Sequence, residues 1–342
     1  MLFMVTNRRF QNGKYGDEEQ PRFKFDYLYD YMNGPQGNDG FNKKGKRGFE
    51  AALFTEMERL KNAEGVKTPK VGIYLHGYHN DWQDSIDEIV DLRKALTDEI
   101  GYESIIVGFS WPSMGRTVGY LSDREEVRDS VPAFVRFLRD INEFLTRNER
   151  KCFCTSYCIA HSMGNYLLRK GMEYLSDHLG TPAGRLMFNE TVMLAPDIAA
   201  KDIEQDGKGQ YIAHFSRRVH VYYSKHDRAL KASSIKRIGQ NRLGRHGAND
   251  YQNLASNVIL VDAKKYADPR VMKDAKDKAG NPLRDRKGNA ISVHSSHRYH
   301  PKIIADIVRV LSSVDRSMIR TRKEVPKVEP TLGLPPNHYE LI

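Results

Sequence analysis

Ala160-His161-Ser162-Met163-Gly164 sets one serine between two small residues, after the apolar run 155–160 and before a helix-periodic stretch. A serine hydroxyl is a weak nucleophile until a base takes its proton and the backbone holds it for attack. A sharp strand–serine–helix turn does the holding. It lifts the hydroxyl above a sheet edge and aims the next backbone N–H, here that of Met163, at a developing oxyanion. The chain folds back so tightly that the positions two before and two after the serine must be small, and Ala160 and Gly164 satisfy that. A helix following the turn adds the positive end of its dipole. A second Ser-x-Gly, in Trp111-Pro112-Ser113-Met114-Gly115, has tryptophan where a small residue is required, so Ser113 is expected to shape a loop.

Such a serine needs an imidazole base and a carboxylate that holds the imidazole's tautomer. Asp227 follows the strand-like run 218–224 and is the expected acid. Asp197, in Leu194-Ala195-Pro196-Asp197, is the alternate, with helix capping as its structural reading. His294, His297 and His300 all precede the last helical stripe. His300 directly precedes Pro301 and is the stiffest. His297 is the expected base and His294 the alternate. In the run 75–80, Gly77 permits close backbone approach, and the Tyr78 N–H is the expected second oxyanion donor. His76 reads as a structural hydrogen-bonding residue.

These residues require elements that deliver them to one place. Apolar runs at 71–76, 104–110, 155–160, 191–195, 218–224 and 257–263 read as strands. Helical stripes lie between them: Ile86, Ile89, Val90 and Leu96; then Val131, Phe134, Val135, Leu138, Ile141 and Leu145, with Pro132 placed near the start; finally Ile303, Ile304, Ile307, Val308 and Leu311. Continuous apolar strands alternating with helices predict an α/β fold, a mostly parallel, doubly wound sheet with helices on both faces. Such sheets bind ligands at the carboxyl ends of their strands. Residues 11–47 read as an irregular extension, 264–296 as a basic insertion holding one hairpin, and 321–342 as a proline-rich extended tail. The expected organisation is a single domain over 1–320 followed by that tail. No internal repeat is read.

The ordered set LHGYHNDW, GFSWPS, AHSMGNYLL, LAPDI, YYSKHDRAL and HRYH resembles a bacterial family of α/β-hydrolases of unknown function. The likeness runs over roughly residues 1–315 and includes the opening MVTNRR. It implies an α/β-hydrolase fold and a serine hydrolase whose triad is Ser162, Asp227 and His297, with Tyr299 matching a family tyrosine. His79 and Arg298 depart from the family's usual asparagine and serine, and the insertion before the histidines is long.

The whole composition frames the rival readings. The 342 residues are 39% hydrophobic with net charge +10. No apolar run approaches the roughly 18 residues of a bilayer span, and the N-terminal apolar stretch is too short for a secretory leader. A cytoplasmic protein is expected. Cys152, Cys154 and Cys158 share one strand and read as buried free thiols. His76 with His79, and His294 with His297 and His300, could suggest zinc, but no carboxylate motif accompanies them; no metal and no cofactor are expected. The expected partner is a small-molecule ester cleaved through an acyl-serine, with thioesters and amides within reach. The alternative is a catalytically inactive hydrolase-fold module that binds an anionic partner through the basic stretches 225–246 and 264–296. Nucleic acid is not expected, because no aromatic platform accompanies those charges.

Overall fold

The computed structural model describes residues 1–30, 41–113, 120–149, 155–179, 186–236, 240–286, 288–326 and 337–342. The chain forms two compact units, Met1–Ile159 with Tyr174–Phe188, and Ala160–Glu173 with Asn189–Ile342. The division falls inside one strand, just before Ala160.

In the first unit, β1 (Leu2–Thr6) is buried along its length. β2 (Arg8–Gln11) and β3 (Lys14–Glu19) form a separate antiparallel hairpin. β4 (Asp26–Asp30) pairs antiparallel with β1, and α1 spans Gly45–Ala63. Much of the expected irregular extension 11–47 is therefore regular. Its polar turn residues make hairpin and edge-strand elements that need only one covered face. β5 (Lys70–Leu75) and β6 (Ile105–Ser110) are parallel to each other, and β6 is parallel to β1. All six β6 residues are buried, which accounts for its uninterrupted apolar sequence. α2 (Trp82–Ile100) starts where the Asp81 carboxylate accepts the Asp84 N–H at 2.8 Å, and stops at Gly101 with φ 89°.

α3 (Tyr120–Arg147) begins twelve residues before Pro132, so the expectation that this proline lies near the helix start is corrected. An interior proline costs about 3 kcal/mol. Val127, Val131, Phe134, Leu138, Ile141 and Leu145 are all buried on this helix, each contributing roughly 1.5–3 kcal/mol. The stripe wins. β7 (Thr155–His161) completes the first unit's strand order, β7-β5-β6-β1-β4. Cys158 lies buried on it, and burial pushes its thiol pKa upward; Cys152 and Cys154 lie outside the described residues.

α4 (Gly164–Leu179) follows the serine, its residues up to Glu173 in the second unit and the rest in the first; the remaining elements belong to the second unit. Then come β8 (Phe188–Leu194), α5 (Gln210–His214), β9 (Ser216–Tyr223), α6 (Arg228–Lys236), α7 (Leu243–His246), β10 (Val258–Asp262), α8 (Pro269–Asp274) and α9 (Pro301–Leu311). Within the expected C-terminal tail, β11 (Arg322–Glu324) and β12 (His338–Leu341) are paired strands that complete the order β11-β12-β10-β9-β8, with β12 parallel to β10; residues 327–336 lie outside the described residues. What holds them is ionic. Arg322 and Asp306 are fully buried and paired at 2.6 Å. Tyr222 Oη and Thr321 Oγ1 donate to the same carboxylate at 2.5 Å each, and Arg322 donates to His220 Nδ1 at 3.2 Å.

Candidate active site

The serine turn is built by strain and by staples. Ser162 has φ 51°, a left-handed conformation that non-glycine residues rarely hold. Its N–H donates to Leu194 O at 3.0 Å, and its carbonyl accepts from the Asp197 N–H at 3.1 Å. From the helix side, buried Asn165 donates through Nδ2 to Ala160 O at 2.8 Å and to Ser162 O at 3.2 Å. Asn165 was not singled out from sequence; it follows the five-residue motif directly. α4 begins at Gly164, so Met163 and Gly164 lie where a helix cannot satisfy its own first N–H groups. The neighbouring loop is clamped as well. A side chain on Gly244 would collide with the Ala195 backbone at 2.3 Å, so only glycine lets α7 sit against Leu194–Asp197.

Ser162 Oγ lies 2.9 Å from His294 Nε2, and His294 Nδ1 lies 2.6 Å from Asp227 Oδ2. An ionised carboxylate can only accept, so Nδ1 carries the proton and Nε2 is left to accept from the serine hydroxyl. Of the candidate histidines it is the alternate, His294, and not the expected His297, that the structure brings to Ser162 and Asp227. Both stand on one 3₁₀ segment, Val293–Arg298. Residues three apart in a 3₁₀ helix eclipse one another, so local pattern alone presents both on one face. Packing then separates them. Both rings lie against His161, at 4.9 Å for His294 and 5.1 Å for His297, but His297 is 4% exposed and its Nε2 meets no hydrogen-bond partner among the described residues. His300 caps α9, accepting the Lys302 N–H at 3.3 Å.

Asp227 occupies the position expected of the acid. Its Oδ1 accepts the Leu230 N–H at 2.9 Å, so the carboxylate also caps α6. Asp197 is elsewhere engaged: it accepts from Ser233 Oγ at 2.6 Å and lies 3.4 Å from Arg242 Nε. It does not cap a helix: the N-cap position of the next 3₁₀ turn falls on Ala199, whose N–H donates to Asp202 Oδ2 at 3.3 Å. Burial opposes ionisation of both partners, yet the pairing prevails. His294 is held above its ordinary pKa by the Asp227 carboxylate, and Asp227 is held below its own by His294. His297 moves the other way, far below the usual range, through burial and then the neighbouring His161. Ser162 is 6% exposed, whereas the His294 side chain is 18% exposed, so the pair meets solvent on the imidazole side.

His161, the residue between the small position and the nucleophile, forms a second tie. Its Nε2 donates to the backbone carbonyl of His294 at 3.0 Å, and Arg298 Nη1 donates to its Nδ1 at 3.2 Å. Neither residue was assigned a role from sequence. The only hint was that His161 sits inside the motif.

In the first unit, His76 is structural as expected. It donates from Nδ1 to Gly77 O at 2.8 Å, accepts the Trp111 N–H at 3.2 Å and stacks on that indole at 5.0 Å. Burial and nearby Arg8 lower its pKa to about 4. The Tyr78 ring packs against Tyr120 at 5.7 Å. Ser113 is a loop residue, donating to buried Asp123 at 2.5 Å and accepting the Asn80 N–H at 3.2 Å.

The family model described as "Alpha/beta hydrolase of unknown function (DUF900)" matches residues 52–278. This span contains Ser162 and Asp227 and ends before His294. "Uncharacterized protein alr1448" of Nostoc sp. is 30% identical over 178 residues; the match covers 44% of this chain, and the chain spans 44% of that relative's length. Among solved structures, phospholipase PlaB from Legionella pneumophila aligns over 50% of this chain and 42% of its own, at 18% identity and TM-score 0.31. The same phospholipase in complex with thio-NAD aligns over 47% and 39%, at 19% identity and TM-score 0.28.

Proposed function

Because this chain belongs to the family of α/β-hydrolases of unknown function, we propose that it is a serine hydrolase that cleaves carboxylic esters through an acyl-serine intermediate. The observation that carries the reading is the unbroken relay Ser162 Oγ, His294 Nε2, His294 Nδ1, Asp227 Oδ2, at 2.9 and 2.6 Å. Ser162 Oγ attacks the ester carbonyl carbon as its proton passes to His294 Nε2. The carbonyl oxygen gains the charge, and the Met163 N–H donates to it beside the N-terminus of α4. The imidazolium, stabilised by Asp227, returns the proton to the departing alkoxide, releasing the alcohol. Water enters, loses a proton to His294 Nε2, and attacks the acyl carbon; the proton then returns to Ser162 as the acid leaves. Thioesters and amides would follow the same path with a thiol or amine leaving.

A fluorophosphonate probe should label Ser162 covalently, and Ser162→Ala should abolish both labelling and p-nitrophenyl ester turnover. Losses of triad members in serine hydrolases run to about 10⁶-fold. His294→Ala should abolish labelling as well, whereas His297→Ala should retain it. Labelling that persists in Ser162→Ala, or that disappears only in His297→Ala, would refute the assignment.

A further inference from the structure

The basic insertion contains a tandem repeat that alternation-based reading passes over. Lys276-Asp-Lys-Ala-Gly-Asn-Pro-Leu283 is followed at once by Arg284-Asp-Arg-Lys-Gly-Asn-Ala-Ile291, two copies of one eight-residue unit. The two copies fold alike. In the first, Asn281 N–H and Nδ2 donate to Asp277 Oδ1 and Oδ2 at 2.8 and 3.2 Å, and Asp277 N–H donates to Asn281 O at 2.9 Å. In the second, Asn289 makes the same two bonds to Asp285 at 2.7 and 3.1 Å, and the backbone bond returns at 3.0 Å. Gly280 and Gly288 take φ 88° and 81°, the left-handed positions that close each turn. Isolated antiparallel bridges, Lys276 with Pro282 and Arg284 with Ala290, seal both.

Each copy turns one apolar residue inward and its cations outward. Leu283 and Ile291 are buried with Met272, and Val293 and Tyr299, on the segment that carries His294, pack against them. Lys276, Lys278, Arg284 and Arg286 are exposed. α8 adds Arg270, Lys273 and the partly exposed Val271. Residues 264–292 hold nine Lys or Arg against four Asp, half of the chain's net charge of +10. Asp277 and Asp285 have their oxygens engaged by their own turns, so the acids shape the platform while the cations face out. The two aromatic residues of the insertion and its flank are engaged within the fold, Tyr266 against the His300 ring at 4.9 Å and Tyr299 against the Leu283–Ile291 cluster, so neither forms a platform for stacking a nucleic-acid base. Cations mixed with an exposed aliphatic side chain suit a lipid interface.

We propose that this double turn is a docking surface for an anionic phospholipid bilayer. The inference goes beyond ester hydrolysis and does not depend on it. The experiment therefore uses the Ser162→Ala chain, which leaves the lipid intact under either reading of that serine. Co-sedimentation is measured with phosphatidylcholine vesicles, with and without phosphatidylglycerol, at low and high salt. Binding is expected only with phosphatidylglycerol and should weaken as salt rises. Lys276→Gln, Lys278→Gln, Arg284→Gln and Arg286→Gln together should weaken it on the order of 10³-fold. Four exposed cations outside the insertion, Lys14, Lys44, Lys67 and Arg139, changed to Gln should leave it within about threefold, because the proposed contact is carried by the turns. Hydrogen exchange on the unsubstituted turns should slow at residues 276–291 when the vesicles are added, a readout that needs no variant. No binding at low salt, equal losses in both quadruple variants, unchanged exchange at the turns, or displacement of the vesicles by a DNA duplex at lower concentration would each overturn the proposal.

Discussion

At the position of the nucleophile, a backbone φ of 51° is the price of presenting one hydroxyl, and the hydrogen bonds from Asp197 and Asn165 hold it there. The base is tuned by its carboxylate. His294 titrates above 6.5 because Asp227 outweighs the burial that would lower it. Since the base works only when neutral, kcat/KM should climb with pH through a value above that of an ordinary histidine. In Asp227→Asn the raising charge is gone; the climb should move to lower pH and the plateau fall about 10⁴-fold, as the tautomer is no longer held. A pH–rate profile on a p-nitrophenyl ester checks both, and an unmoved limb would remove Asp227 from the relay. The same shifts bear on stability: the His294–Asp227 pair contributes fully between the unfolded pKa of Asp227 and that of His294, fading as pH rises through the folded pKa of His294 and as it falls through that of Asp227. His161 acts one step back, through the His294 carbonyl. His161→Ala should lower kcat/KM about 10²-fold by loosening the imidazole, while His161→Gln, which keeps an N–H donor, should recover most of that loss. Equal losses in both would make His161 a packing residue only. The residue types of this site were readable because each has a distinct chemical job; the partner of each was not.

Among the elements, burial patterns decided where local preference was outvoted. Pro132 sits inside a 28-residue helix because that helix buries a long apolar stripe. β11 and β12 were illegible because no local run of apolar residues announces them. They exist because Arg322 finds Asp306, Tyr222 and His220, brought from α9 and β9. Asp306→Ala would leave a buried guanidinium unpaired, and unfolding in urea should show a loss of about 3–5 kcal/mol. A change below 1 kcal/mol would mean that the network does not hold these strands. The 3₁₀ segment Val293–Arg298 shows the same in miniature: both its histidines lie against His161, at 4.9 and 5.1 Å, and only the meeting of His294 with Ser162 and Asp227 tells them apart.

For the molecule as a whole, no helix among the described residues is long and apolar enough to cross a membrane, and half of the net positive charge is gathered in one insertion. The alternation of strands and helices, the serine turn and the place of the acid were determined by sequence alone. The first is written in periodicity, the second in small residues set between an apolar run and a helical stripe, the third in a loop position after one strand. The choice of His294, the tie through His161 and Arg298, and the ordered C-terminal strands were decided only by tertiary structure. Each depends on groups far apart in the chain meeting at hydrogen-bond distance, and no local pattern encodes which of several equivalent side chains will be the one that arrives.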